Sequence, residues 1–174
     1  RRLPDDFVPA GLVNMGHYEA TRETANAFSR MQADAAARGL SLRVVSAYRS
    51  IASQRQLYNR YLERAPAHVV DTYSARPGFS EHHTGRALDL CGASGSFLDF
   101  EKSPEAPWVH QNAYKYGFIL RYPKGYEHLT GYSDEPWHRT YVGVEVATDM
   151  HERGIVTLEE YTVKHVDYKP VEWV

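Results

Sequence analysis

Ser80-Glu81-His82-His83-Thr84-Gly85-Arg86-Ala87-Leu88-Asp89-Leu90-Cys91 is the stretch on which the reading of this chain turns. Its first half is polar and closes on a glycine, which is loop composition. From Arg86 onward Ala87, Asp89 and Cys91 alternate with Leu88 and Leu90 at period two, the pattern of a strand. The leucines then enter a core, and Asp89 points to the other face. Further along, Glu135-Pro136-Trp137-His138 leads into a second expected strand over 137–142. His82, Asp89 and His138 offer two imidazoles and one carboxylate, a donor set that suits zinc and leaves one tetrahedral position for the water of a hydrolytic site. Glu135 is the candidate base. Arg49, in Ser46-Ala47-Tyr48-Arg49-Ser50, is the candidate oxyanion donor.

The flanks supply the frame. Residues 1–19 hold Pro4, Pro9, Gly11 and Gly16 without a sustained period, so they read as an extended lead-in draped over the rest. Thr21 to Arg38 carries Phe28, Met31 and Ala35 at helical spacing and stops at Gly39. Residues 40–47 place Leu42, Val44 and, less cleanly, Ala47 on one side of a strand that leads into the Arg49 corner. Ser50 caps a second helix, to about Arg64, with Leu57, Tyr58, Tyr61 and Leu62 as its inner stripe. A short helical piece over 69–74 and the Arg76-Pro77-Gly78 turn precede the histidine motif. Ser103-Pro104 reads as a helix start, with Gly117 as the stop; 118–122 is a strand and Pro123-Lys124-Gly125 its turn. Residues 144–153 form a helix ended by Gly154, and Thr157-Leu158-Glu159-Glu160 is a capping box that starts a last one. These elements imply an α+β fold in which a small antiparallel sheet carries the metal ligands between flanking helices. With no repeat or linker, residues 1–174 are expected to form one domain.

Composition excludes several classes. A net charge of −2 and a pI near 6.5 leave no basic excess for a phosphate backbone. No stretch approaches the roughly 20 apolar residues of a membrane span. Cys91 is the single cysteine, so an internal disulfide is ruled out and the residue reads as a small buried hydrophobe. The opening Arg1-Arg2-Leu3-Pro4, with neither an initiator Met nor an apolar signal, reads as part of a longer product. Among the thirteen tyrosines, those from Tyr114 to Tyr132 are candidates for lining a sugar or peptide groove; the rest suit packing with a wet hydroxyl.

Taken alone, a histidine and an aspartate seven residues apart are weak evidence in a chain with nine histidines. Gly85 and Ala87 between them strengthen it, as small residues that leave room for metal and substrate. The conjunction with Glu135-Pro136-Trp137-His138 and the Arg49 corner is far more specific. At this point the residues resemble a known family, the zinc D-alanyl-D-alanine carboxypeptidases of the VanY type, with their VanX-type dipeptidase and L,D-carboxypeptidase relatives. Ser80, His82, Gly85, Ala87 and Asp89 match the signature Ser-x-His-x-x-Gly-x-Ala-x-Asp, and residues 135–138 match Glu-Pro-Trp-His. The likeness runs from about Leu40 to Gly143. It implies that His82, Asp89 and His138 bind one zinc ion, that Glu135 is the base and that Arg49 steadies the oxyanion. It also implies that Gln54 and Ser80 contact the terminal D-alanine or its neighbour; Trp137 is a candidate wall of the site. One departure stands out: relatives continue Phe-Arg-Tyr-Val-Gly after the last metal histidine, where this chain has Arg139-Thr140-Tyr141-Val142-Gly143. A one-residue shift on a strand turns a side chain to the opposite face, so any family role of that arginine does not transfer to Arg139. Of the adjacent histidines, His82 and not His83 holds the family spacing.

The resemblance therefore implies a zinc carboxypeptidase that removes the C-terminal D-alanine from peptidoglycan stem peptides, in the bacterial cell envelope or as a secreted enzyme, with an anchor outside this chain as one arrangement. Four rivals stand beside it: L,D-carboxypeptidase action on the tetrapeptide stem, D-Ala-D-Ala dipeptidase action, cross-bridge endopeptidase action, and a zinc-stabilised module that binds cell wall without cutting it. Retention of both Glu135 and Arg49 weighs against the last.

Overall fold

A computed structural model describes residues 2–165; of the span 1–174 expected as one unit, residues 1 and 166–174 lie outside the described residues. Two strands come first, β1 (Leu12–Asn14) and β2 (Glu19–Thr21), paired antiparallel. The central sheet is formed by β3 (Arg43–Ser46), β4 (Ala87–Cys91), β5 (Phe118–Leu120) and β6 (His138–Tyr141) in the order β3-β4-β6-β5, all neighbours antiparallel. The helices are α1 (Arg22–Ala36), α2 (Ile51–Leu62), α3 (Ala67–Val70), α4 (Glu105–Asn112), α5 (Glu127–Thr130), α6 (Val144–Glu152) and α7 (Leu158–His165). The fold is the α+β arrangement that the sequence predicts, with ligand-bearing strands β4 and β6 side by side.

Periodicity explains the core. On α1, Thr24, Ala27, Phe28, Met31 and Ala35 are buried, a stripe at i, i+3, i+4, i+7 and i+11. It packs with Leu42, Leu88, Leu90 and Phe100 into the main apolar cluster, while Ile119, Ala147 and Met150 form a smaller one. Each fully buried leucine contributes about 1.5–3 kcal/mol. Leu42, Val44 and Ala47 fail to alternate cleanly because a β-bulge shifts the register of β3 against β4 between Val44 and Ser46. The extra residue reverses the parity, so Ala47 joins Leu42 in the core while Val45 and Ser46 turn towards the cleft described below.

The capping box is present as expected. Glu160 Oε2 accepts from the Thr157 backbone N–H at 3.3 Å, and Thr157 Oγ1 accepts from the Glu160 N–H at 3.2 Å. Elsewhere the structure departs from the sequence reading. The lead-in contains a strand of its own, β1, whose three residues are too few for periodicity to register. Pro104 rather than Ser103 takes the cap position of α4, and the Ser103 hydroxyl is buried without a hydrogen-bond partner. That helix ends at Asn112 and tightens into a 3-10 turn over Ala113–Tyr116 before Gly117. On α2 the buried residues are Ile51, Gln54 and Tyr58, and Leu62 is exposed.

Gly85 carries a second correction. It has φ +67°, and a β-carbon there would lie 2.9 Å from Leu12 Cδ2 and 3.2 Å from the Thr21 nitrogen. The space it leaves is therefore filled by the β1–β2 pair, whose Thr21 N–H donates to the Gly85 carbonyl at 2.9 Å, and not by metal or substrate.

Candidate metal centre and active site

Asp89 and His138 are directly opposite each other in the β4–β6 ladder, and Ser46 of β3 pairs with Asp89 from the other side. His82 reaches the same point from a 3-10 turn over Glu81–Thr84, capped by Ser80, whose hydroxyl accepts from the His82 N–H at 3.3 Å. All three candidate ligands are buried. His82 Nε2 lies 3.2 Å from Asp89 Oδ2, and His138 Nδ1 lies 3.1 Å from Asp89 Oδ1. One ligand atom from each residue falls within 4.8 Å of the other two. The tautomer of His82 is set by its Nδ1–H, which donates to the Ala47 carbonyl at 2.7 Å and leaves the Nε2 lone pair facing the cluster. Two imidazoles and a carboxylate converging in this way fit zinc.

His83 stands apart although it is adjacent in sequence and fully buried. Its Nδ1–H donates to the Arg49 carbonyl at 2.7 Å, and its Nε2 accepts from the Gly78 N–H at 3.1 Å. Both ring nitrogens are thereby engaged by backbone, and burial lowers its pKa. This histidine staples two loops.

The acid–base candidate lies beside the ligands. Glu135 Oε2 is 3.5 Å from His138 Nδ1, and the Glu135 N–H donates to the Tyr122 carbonyl at 3.0 Å, which fixes the loop before β6. With the protein's own groups around it, burial pushes the Glu135 carboxyl up to about 7; His138 and Arg49 oppose that rise and Asp89 adds to it. Asp89 itself stays well below the usual carboxylate range, because His82 and His138 outweigh its burial.

Arg49 is positioned by two contacts, donating from Nη1 to Gln54 Oε1 and from Nη2 to Ser46 Oγ, both at 2.8 Å. Gln54, 1 % exposed, donates in turn to the Ala75 carbonyl at 2.7 Å and to Ser74 Oγ at 3.3 Å. Its amide therefore braces Arg49 against the loop after α3. Burial lowers the Arg49 pKa, with Asp89 opposing most strongly.

These groups line one cleft of about 870 Å³ that also includes Ser80 and Trp137. Trp137 packs edge-on against Phe97 with ring centroids 5.0 Å apart. Tyr61, Tyr73, Tyr122 and Tyr132 give the cleft an aromatic wall. Of the tyrosines singled out between 114 and 132, Tyr122 and Tyr132 therefore reach the groove, whereas Tyr114 stacks on His151 elsewhere. His128, the other histidine near that segment, is exposed and lies outside the cleft. Glu81 was missed by the sequence reading, although it sits inside the motif. It accepts from Arg121 Nε at 2.6 Å and from Thr140 Oγ1 at 2.7 Å, and its Oε2 is 3.7 Å from His138 Nε2. Burial alone would raise its pKa; His138, Arg121 and Thr140 outweigh that and hold it at about 2.

Comparison with known proteins agrees with this geometry. The VanY family profile, D-alanyl-D-alanine carboxypeptidase, matches residues 17–144. YodJ of Bacillus subtilis (strain 168) is 39% identical over 175 residues, covering 93% of this chain and 64% of that protein. A D-alanyl-D-alanine carboxypeptidase of Enterococcus faecium is 39% identical over 152 residues, covering 87% of this chain and 46% of its own length. This chain thus spans less than two thirds of either relative. Among solved structures, the LdcB LD-carboxypeptidase superposes with a TM-score of 0.86 at 35% identity, covering 94% of this chain and 82% of that one. VanYB in complex with D-alanine-D-alanine gives 0.82 at 28% identity, with 95% and 94% covered. A vancomycin-resistance D,D-pentapeptidase VanY mutant in complex with Zn(II) gives 0.78 at 28%, with 92% and 93% covered. With the profile matched across the segments that place His82, Asp89, Glu135 and His138, the chain belongs to the VanY family of D-alanyl-D-alanine carboxypeptidases.

Proposed function

We propose that this protein is a zinc-dependent D,D-carboxypeptidase that removes the C-terminal D-alanine from peptidoglycan stem peptides. The observation that carries the reading is the convergence of His82, Asp89 and His138 at the floor of a cleft that also holds Glu135 and Arg49. Zinc bound by the three ligands would supply Lewis acidity for the scissile carbonyl and would acidify a water molecule. Glu135 takes a proton from that water and returns it to the departing D-alanine amine; the push that burial gives its pKa brings it towards the range where one carboxyl can do both near neutrality, and a nearby cation pulls it back down. Arg49, preset by Gln54 and Ser46, offers a fixed positive charge to the developing oxyanion. Ser80 and Trp137 border the space left for the substrate's end. The cell envelope is the place of action that such a substrate implies. Among the described residues no helix is long and apolar enough to cross a membrane.

The likeness to the LdcB LD-carboxypeptidase favours a second reading, L,D-cleavage of the tetrapeptide stem. Mass spectrometry of D-alanine release from matched penta- and tetrapeptide stems, with the zinc-loaded protein and Glu135→Ala, separates the two. Glu135-dependent release from the pentapeptide alone supports D,D action, and release from the tetrapeptide alone replaces it with L,D action. No release from either stem by a zinc-loaded protein overturns both.

A further inference from the structure

His138 contributes Nδ1 to the ligand cluster, and its other nitrogen, Nε2, is buried without a hydrogen bond. An imidazole nitrogen orphaned at that depth has lost its water without replacement unless something answers it. The group that faces it is the Glu81 carboxylate, with Oε2 at 3.7 Å. Glu81 is itself aimed. Arg121 Nε holds Oε1 at 2.6 Å, and Thr140, two residues beyond His138 on the same face of β6, holds Oε2 at 2.7 Å. Arg121 is anchored in turn by Glu159 of α7, through bonds of 3.0 and 2.6 Å from its two terminal nitrogens. An approach of about half an ångström would turn the Glu81–His138 contact into an N–H···O bond of normal length.

We infer that Glu81 is a positioning residue for the metal centre: it takes the Nε2–H of His138, fixes the tautomer that turns the Nδ1 lone pair to the metal, and is itself braced through Arg121 to the C-terminal helix α7. The arrangement mirrors His82, whose outer nitrogen is held by the Ala47 carbonyl. A backbone acceptor serves one imidazole and a carboxylate the other, and the carboxylate also makes its ring the more basic ligand. Because Glu81 lies between Ser80 and His82, one short turn orders both histidine ligands. The inference rests on the zinc reading of the site.

The test compares wild type with Glu81→Gln, which keeps the shape and leaves Arg121 paired with Glu159. Zinc affinity is measured by competition with a chromophoric chelator, the visible spectrum of the cobalt(II)-loaded protein reports ligand geometry, and thermal melting of the metal-free form reports folding. The expected result is a zinc Kd weakened ~10- to 100-fold and an altered cobalt spectrum, with metal-free melting close to wild type. Unchanged affinity and spectrum overturn the role of Glu81 while leaving the zinc site standing; a wild type that fails to bind zinc overturns the site reading and this inference with it. Should Glu81→Gln not fold, Thr140→Val replaces it, because it removes only the hydroxyl that holds Oε2. A smaller loss of zinc affinity in that variant supports the inference, and wild-type affinity overturns it.

Discussion

His138 and Arg139 are neighbours on β6, both almost fully buried, and they face opposite sides of the sheet. His138 meets Asp89, Glu135 and Glu81 at the floor of an open cleft. Arg139 meets the core, between Leu88 and Leu120 in the ladder; its Nη2 lies 2.9 Å from His110 Nδ1 and 3.2 Å from the Pro136 carbonyl, and its Nε has no partner. His110 Nε2 lies 2.9 Å from Glu101. Burial lowers the arginine to about 10, and the side chain is not among those that line the cleft holding His138. The contrast separates two meanings of a buried charge. Several donors converging on one reachable point make a site; a single cation in a packed layer makes a strut.

Four changes test that contrast. Removing zinc from the holoenzyme with a chelator is expected to abolish D-alanine release and restoration of zinc to recover it, while circular dichroism shows the fold retained, since the apolar clusters do not depend on the ion; retained activity in the metal-free protein would erase the difference between the two faces. Glu135→Ala is next, with an expected loss of at least ~100-fold in kcat and zinc binding near wild type by metal analysis, the lower range for a lost general base. Gly85→Ala acts on stability rather than chemistry: a β-carbon at φ +67° against Leu12 and the Thr21 backbone is expected to cost about 1–3 kcal/mol in chemical denaturation. If it costs nothing, the close packing of the N-terminal strands against the motif is wrong. Arg139→Met is the mildest. It removes the bond to the Pro136 carbonyl and is expected to cost about 1 kcal/mol of stability while leaving zinc affinity near wild type. A large drop in zinc affinity would make the strut part of the site.

Much of this was legible in the chain. Period-two alternation from Ala87 to Cys91 placed Leu88 and Leu90 in the core and Asp89 on the other face, and the helical stripe of Phe28, Met31 and Ala35 was explicit, because both depend on spacing within one element. Arg139 lies on the face of β6 opposite His138, as strand parity implies without reference to any partner. The role expected for Gly85 was misassigned because a glycine announces that a β-carbon is unwelcome without saying which neighbour excludes it. Glu81 went unnoticed because its neighbours in space, Arg121, Thr140 and His138, lie far along the chain.

Residue identity and local periodicity were enough to name the candidate ligands, the candidate base, the family and the faces of the strands. The tertiary structure decided what depends on register between distant segments. The antiparallel pairing of β4 with β6 sets Asp89 against His138, and the bulge in β3 turns Ser46 towards Arg49. Backbone partners give the physical ground for the choice that motif spacing made between adjacent histidines, leaving His82 one nitrogen for a metal and His83 none. Such placements rest on contacts between residues whose separation along the chain carries no periodic signal, so they exist only once the sheet has closed.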